Sequence, residues 1–183
     1  MNFIPTEIRD LYIVEPKVFS DERGYFFESF QEKDFLDMGI NLRFTQDNQS
    51  LSSKGVLRGL HMQKPPYEQG KLVRVVKGSV LDVAVDIREG SPTYGKYFSI
   101  ELSEENFRML WIPPGFAHGF LTLRDNTIFT YKCTGVYNKD SELSLKWDDP
   151  DIGIQWGITE EPIVSEKDKK ASNLKYFKSP FKY

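Results

Sequence analysis

Residues 80 to 88 read Val80-Leu81-Asp82-Val83-Ala84-Val85-Asp86-Ile87-Arg88, and apolar side chains occupy every odd position. Because successive side chains of a strand point to opposite faces, this pattern predicts a strand with one apolar face. The even face carries both aspartates and has two interpretations. Either it is solvated, or it lines a cavity inside a small barrel, with Asp82 within reach of Lys71.

Similar patterns recur on both sides of this segment. Residues 72–76, 96–102 and 128–137 also predict strands, and glycine or proline interrupts the chain between them. Many short strands separated by turn signals predict a sandwich or barrel, which we interpret as one domain over residues 1–183. Helix is expected to be minor. Residues 31–38 resemble a short helix closed by Gly39, and residues 103–106 predict a one-turn helical start.

Composition narrows the class of protein. A length of 183 residues is enough for one domain with a sizeable core, and the net charge of −3 argues against non-specific nucleic-acid binding. The single cysteine, Cys133, excludes an internal disulfide framework and a cysteine-rich zinc site. No apolar run approaches the ~20 residues of a membrane span, and residues 1–5 show no signal-peptide pattern. The expected location is therefore the cytoplasm.

The chain has two histidines, His61 and His118, and histidine is the usual proton carrier near pH 7. His61 ends the segment Val56-Leu57-Arg58-Gly59-Leu60-His61. Gly59 predicts a bulge that turns Arg58 and His61 toward one cavity, and the loop at residues 65–70 folds the Lys71 strand back on the His61 strand. The alternative is an edge strand with an exposed arginine and a hydrogen-bonded histidine.

His118 follows a tight turn at residues 113–117. It is either a buried histidine or a partly cationic imidazole presented to an anionic ligand, with Arg23 and Arg58 completing a diphosphate site. Tyr131 and Tyr137 share one face of their strand. Such tyrosines are core or interface aromatics, or general acids if the pKa is tuned.

With two histidines in the chain, metal binding is less favoured than proton transfer. A metal site in a small β-barrel usually needs two or three histidines and a carboxylate. Near His61 the chain supplies only Glu68, and His118 is distant in sequence. No metal is therefore expected.

Taken in order, the motifs resemble those of the dTDP-4-dehydrorhamnose 3,5-epimerases, a family of cupin-like barrels. Each segment is weak by itself, but the ordered set is specific and runs nearly end to end. It comprises residues 21–28, 46–50, 56–61, 71–74, 82–88, 114–120, 147–150 and 164–168. One position departs from the family pattern, and one segment lies outside it. Met62 stands where an aromatic is usual, and residues 171–183 form a tail that we expect to pack on the barrel or on a dimer.

The resemblance implies a role for each site residue. His61 is the general base, Asp168 its partner, Tyr131 the general acid on the opposite face, and Lys71 lies by the C4 oxygen. Tyr137 stacks on the thymine. The other ligand-contact positions are Arg23, Glu28, Gln46, Asp47, Asn48, Arg58, His118, Glu142 and Lys167. The resemblance alone selects Asp168, because residues 165–170 otherwise suggest a solvated, charged loop.

The implied fold is a mainly β, cupin-like jelly-roll barrel with a few short helices. The implied reaction is epimerisation of dTDP-4-dehydro-6-deoxy-D-glucose at C3 and C5, giving dTDP-4-dehydro-L-rhamnose. It needs no cofactor and no metal, and the family forms homodimers. A 3-only epimerase and a 3,4-ketoisomerase remain enzyme alternatives. A nucleotide-sugar-binding cupin module and a metal-dependent cupin oxygenase represent other classes.

Overall fold

The computed structural model describes residues 1–41 and 43–183. Its strands within these ranges are β1 (Asn2–Pro5), β2 (Tyr12–Glu15), β3 (Phe19–Asp21), β4 (Gly24–Phe26), β5 (Phe44–Ser52), β6 (Leu57–Gln63), β7 (Lys71–Lys77), β8 (Ser79–Asp86), β9 (Tyr97–Ser103), β10 (Met109–Ile112), β11 (Phe116–Thr122), β12 (Thr127–Thr134) and β13 (Glu142–Ser144). The α-helices are α1 (Glu32–Asp37) and α2 (Glu166–Lys169), and 3-10 turns span Lys139–Ser141 and Leu174–Tyr176.

The strands build two large antiparallel sheets and one hairpin. One sheet has the order β1-β2-β10-β7-β12-β5, the other has the order β13-β6-β11-β8-β9, and β3 pairs only with β4 in the hairpin. Side chains from both large sheets share one core cluster that includes Val73, Ala84, Leu110 and Phe129. This sandwich of sheets confirms the expected mainly β, cupin-like fold.

Strand β8 is buried on both faces, which decides between the two interpretations of its alternating pattern. Val83 and Val85 pack on the outer side of their sheet against later segments of the chain, including Trp156. Val80 and Ala84, at even positions, point into the core between the sheets. The even face is therefore not solvated, and it carries its aspartates into the interior.

Two predicted helical segments have different outcomes. Helix α1 lies inside the predicted residues 31–38, and Gly39 follows it with a φ of +78°. Residues 103–106 do not form a helix. Ser103 ends β9, and a turn follows in which the side chain of Asn106 accepts a hydrogen bond from the Ser103 N–H at 3.1 Å. One helix-type bond runs from the Phe107 N–H to the Ser103 carbonyl at 3.2 Å, but the φ of +56° at Phe107 lies outside the helical range and ends the turn.

The last residues lie along the outer side of the five-stranded sheet. Phe181 is only 8% exposed and belongs to the same cluster as Trp156, and Lys182 forms a parallel bridge with Glu89. None of the helices in the described residues is long and apolar enough to cross a membrane.

Candidate active site

A cavity of about 560 Å³ opens between the two sheets and collects most of the candidate catalytic side chains. Its lining includes Arg58, His61, Lys71, His118, Tyr131, Lys167 and Asp168. A smaller pocket of about 170 Å³ adjoins it, because His61, Lys71, Tyr131 and Lys167 line both. Gln46, Asn48, Tyr137 and Glu142 line the smaller pocket as well.

Gly59 turns two side chains of β6 toward this cavity. Its φ of +128° is a conformation that side-chain-bearing residues rarely adopt, and a Cβ there would lie 2.5 Å from the Gly119 Cα. The β6–β11 register shifts between His118 and Phe120, as a bulge requires. Arg58 and His61 consequently share one cavity although they differ in parity, as the sequence predicts.

His61 and Asp168 form a hydrogen-bonded pair with a separation of 2.5 Å between Nε2 and Oδ1. Asp168 is 2% exposed, and its Oδ2 accepts a further bond from the Gly59 N–H at 3.4 Å. Burial by itself raises the pKa of Asp168, but the bonds from His61 and Gly59 hold it below its ordinary value. The carboxylate therefore accepts from Nε2–H, which leaves the Nδ1 lone pair of a neutral His61 to take a proton.

Helix α2 carries Asp168 to this position. The Ser165 hydroxyl caps the helix by accepting a bond from the Asp168 N–H at 3.1 Å. The expectation of a solvated, charged loop at residues 165–170 is therefore wrong, because one turn of helix buries Asp168 against β6. Ser165 is a site residue that the sequence reasoning missed, although its three-residue spacing to an acidic residue is a capping signal.

Lys71 begins β7 and faces the His61 strand from the other sheet. Its ammonium donates to the main-chain carbonyl of His61 at 3.4 Å. The two strands thus meet across the cavity and belong to different sheets. Burial lowers the pKa of Lys71, and the nearby acidic groups of Cys133, Asp82 and Glu142 oppose that effect.

Tyr131 occupies the wall opposite His61. It lies on β12 in the six-stranded sheet, whereas His61 lies on β6 in the five-stranded sheet. Its ring lies 6.0 Å from that of Phe129, and burial raises the pKa of its hydroxyl. Tyr131 therefore carries its hydroxyl proton at neutral pH.

His118 lies beside His61 in the β6–β11 register, and it is 6% exposed. Its Nε2 is 3.0 Å from Oδ2 of the fully buried Asp82. Burial lowers the pKa of His118, although Asp82 opposes the shift, which favours the interpretation of a buried histidine. Asp82 is also close enough to Lys71 to oppose the lowering of the lysine pKa by burial, so the buried, interior interpretation of the even face of β8 holds for this aspartate.

Of the remaining sequence-predicted contacts, some line the smaller pocket and others lie outside both pockets. Glu142 and Lys167 join across the smaller pocket with 2.5 Å between Oε2 and Nζ. Asp47 points to the outer side of its sheet and binds Lys132 at 2.9 Å. Arg23 pairs with Asp21 at the tip of the exposed β3–β4 hairpin, and Glu28 is exposed beyond β4. The structure does not bring Arg23 and Glu28 to the cavity formed by the described residues.

The arrangement places an imidazole, a phenol and an ammonium group around one cavity. Among residues 1–41 and 43–183, no three His, Cys, Asp or Glu side chains are grouped as a metal site requires. Two groups that can carry protons, on facing sheets and beside a cation, are suited to moving protons on and off a carbon atom.

Comparison with known proteins points to one activity. The family model described as dTDP-4-dehydrorhamnose 3,5-epimerase matches residues 5–176. The protein of that name from Shigella flexneri is 56% identical over 169 residues, which are 92% of this chain and 93% of the relative. A crystal structure of dTDP-6-deoxy-D-glucose-3,5-epimerase from Legionella pneumophila in complex with dTDP-4-keto-L-rhamnose has a TM-score of 0.95 and 50% identity, covering 100% of this chain and 98% of that one.

A more distant likeness involves an enzyme that acts at one centre. A 3'-monoepimerase from Streptomyces bikiniensis, in complex with dTDP-quinovose, has a TM-score of 0.88 and is 34% identical, covering 93% of this chain and 87% of that one. The fold is therefore shared by enzymes that invert one carbon atom and enzymes that invert two.

Proposed function

The chain belongs to the dTDP-4-dehydrorhamnose 3,5-epimerase family, and on that premise we propose that the cavity between its sheets is where the proton transfers take place. The enzyme is an isomerase that epimerises dTDP-4-dehydro-6-deoxy-D-glucose at C3 and C5. The observation that carries the proposed mechanism is the placement of His61 and Tyr131 on opposite sheets, with Lys71 lining the same cavity.

The substrate chemistry requires a base. C3 and C5 both flank the C4 carbonyl, so removing either proton gives an enolate with its negative charge on the C4 oxygen. In the proposed step, Nδ1 of neutral His61 takes the proton from carbon. Asp168 holds the His61 tautomer through Nε2–H and stabilises the imidazolium that forms.

The developing oxyanion requires a positive partner. Lys71 is proposed to lie beside the C4 oxygen, where its ammonium stabilises the charge as it appears. Its bond to the His61 carbonyl supports this role, because it keeps the ammonium close to the base.

Inversion requires the new proton to arrive from the opposite face. Tyr131 is proposed to donate its hydroxyl proton to the enolate carbon, which leaves His61 protonated and Tyr131 as a phenolate. Both groups exchange protons with solvent before the second centre reacts. Electrons and protons balance without a hydride acceptor, so the scheme requires no cofactor.

The nucleotide is proposed to supply the binding energy that positions the sugar. Tyr137 is 54% exposed at the edge of the smaller pocket, which supports a role in stacking on the thymine. The remaining contacts are proposed to hold the sugar and the diphosphate, namely Gln46, Asn48, Arg58, His118, Glu142 and Lys167. The free, buried Cys133 supports a location in the reducing cytoplasm.

A homodimer is also proposed, because Arg23 does not reach the cavity of its own chain and can contact ligand only in the cavity of a partner. The β3–β4 hairpin exposes Phe19 at 54% and Phe26 at 66%, and such aromatic surface is typical of an interface. In the proposed dimer, the hairpin of one protomer reaches the cavity of its partner, so that Arg23 and Glu28 contact ligand across the interface.

Mixed dimers test that placement. Co-expressed Arg23→Ala and His61→Ala chains form a heterodimer in which one site carries both changes and the other site carries neither. Activity above that of either homodimer supports a contact across the interface. Activity no higher than that of the parent homodimers contradicts it.

Heavy water tests the proton transfers themselves. Turnover in deuterium oxide is expected to place deuterium at both C3 and C5. Label at C3 alone contradicts two-centre epimerisation, and no label at either centre contradicts the enolate mechanism. His61→Ala is expected to abolish exchange while retaining affinity for dTDP, which separates the loss of the base from the loss of the site.

A further inference from the structure

The side chain of Gln63 joins the strand of the catalytic base to the loop that carries Tyr137. Gln63 ends β6, two residues after His61, and is only 6% exposed. Its Nε2 donates to the carbonyls of Tyr67 at 2.6 Å and Val136 at 3.2 Å, and its Oε1 accepts from the Asn138 N–H at 2.8 Å. The two carbonyl oxygens can accept only from the amide nitrogen of Gln63, and the Asn138 N–H can donate only to its amide oxygen. These bonds therefore fix one orientation of the Gln63 amide.

Two of these three bonds lie on either side of Tyr137. Val136 and Asn138 are its neighbours in the chain, so Gln63 holds the backbone immediately before and after the residue. The side chains of this loop are largely exposed, at 57% for Val136 and 54% for Tyr137. Its other contacts include the bond from the Thr45 hydroxyl to the Gly135 carbonyl and the interaction of Tyr137 with Glu142. A side chain on a loop with few tertiary contacts loses conformational freedom when it binds a ligand.

We propose that Gln63 is a positioning residue that presets Tyr137 for the nucleobase. This inference rests on the proposed stacking of Tyr137 on thymine. Gln63 holds the loop in its binding geometry before the nucleotide arrives, so binding does not have to order the loop. The third bond, to Tyr67, ties the loop after β6 into the same anchor, and the amide thereby links three segments around the nucleobase end of the smaller pocket.

Gln63→Met tests the anchor, because it removes all three hydrogen bonds at similar side-chain volume. Affinity for dTDP, measured by calorimetry, is expected to fall about tenfold, since the loop must then be ordered on binding. KM for the sugar nucleotide rises by a similar factor, and kcat stays within about twofold, because the lost interaction positions the ligand and does not act on the reacting carbon. Gln155→Met is the matched control, since Gln155 is an exposed glutamine on another loop.

A double-mutant cycle with Tyr137→Ala separates positioning from a general structural effect. If Gln63 acts through Tyr137, adding Gln63→Met to Tyr137→Ala changes dTDP affinity by less than about twofold. A full tenfold loss in both backgrounds overturns the inference and leaves the role of Tyr137 intact. If Tyr137→Ala binds dTDP as tightly as the wild type, both the stacking role and the inference fail.

Gln63→Glu provides a second variant that retains the shape of the side chain. It still accepts from Asn138, but its carboxylate faces the carbonyls of Tyr67 and Val136. As the pH falls and the carboxyl takes up a proton, one donor returns. The dTDP affinity relative to wild type is therefore expected to be lower at pH 8 than at pH 5, with faster amide exchange at residues 136–138 at the higher pH. A ratio that does not change with pH overturns the inference.

Discussion

His61 and Asp168 are 107 positions apart in the chain, yet Nε2 of one lies 2.5 Å from Oδ1 of the other. Helix α2 and the bulged strand β6 must both form before this contact exists. Because Gly59 also donates its N–H to Asp168, the bulge and the carboxylate support each other. The base is therefore built by the packing of two segments that are remote in sequence.

Asp168→Asn should lower kcat by a factor on the order of 10³–10⁴, since a neutral amide cannot stabilise the imidazolium and permits the wrong tautomer. Binding of dTDP should be retained, because the change is nearly isosteric and lies at the catalytic end of the cavity. Steady-state kinetics together with calorimetry of dTDP check both parts. A kcat within tenfold of wild type would show that His61 does not depend on this carboxylate.

Ser165→Ala should act on the same pair through the helix cap. Loss of the cap costs about 1 kcal/mol of stability and loosens the turn that positions Asp168, so kcat should fall several-fold. Ser165→Asp restores a capping oxygen and should recover most of the loss in both quantities. Denaturant titration and kinetics of the two variants measure this, and equal losses in both variants would contradict a capping role.

Gly59→Ala should destabilise the fold by about 3 kcal/mol or more, because the positive φ and the close approach to Gly119 add together. Gly90→Ala is the matched control. Gly90 also has a positive φ, of +90°, but a Cβ there meets nothing within 4 Å. Only strain of about 1 kcal/mol is expected for that variant. Similar unfolding midpoints for the two variants would show that crowding at the bulge is unimportant.

Tyr131→Phe should separate proton removal from inversion. His61 can still take a proton from carbon and return it to the same face, so solvent deuterium should continue to enter the substrate. Formation of the epimerised product should slow by a factor on the order of 10²–10⁴, because the acid on the opposite face is missing. Mass spectrometry and NMR of the recovered sugar distinguish the two events. Undiminished inversion would assign the acid role to another group.

His118 should make stability depend on pH in a defined direction. Burial lowers its pKa in the folded state, so below about pH 6.5 the unfolded chain takes up a proton that the folded chain does not. The contribution is present above the unfolded pKa and is lost as the pH falls toward the folded one, by at most about 1.4 kcal/mol per pH unit. The difference in unfolding free energy between wild type and His118→Gln from pH 7.5 to 5.5 measures it. Parallel pH profiles would contradict the shift.

Several parts of the architecture could be predicted because they depend on local pattern. The alternation in residues 80–88 indicates β8, and the glycine at position 59 indicates the bulge that aims Arg58 and His61 into one cavity. Both features depend on residue types that are close together in the chain, so a local sequence pattern predicts them. The predicted helical start at residues 103–106 is wrong, because the positive φ of Phe107, +56°, ends the one helix-type turn there.

Other features depend on which segments come to cover a residue, and no local pattern records that. Asp168 lies among charged neighbours that suggest solvent, and only its packing against β6 buries it. The even face of β8 carries two aspartates, but a second sheet covers it. Asp82 is therefore fully buried, with its Oδ2 3.0 Å from Nε2 of His118, and burial lowers the pKa of that imidazole. The amino-acid order thus specifies the strands, the bulge and the small inventory of proton carriers. Tertiary packing decides which of those groups are desolvated and paired, because burial and hydrogen bonding between distant segments set their charge.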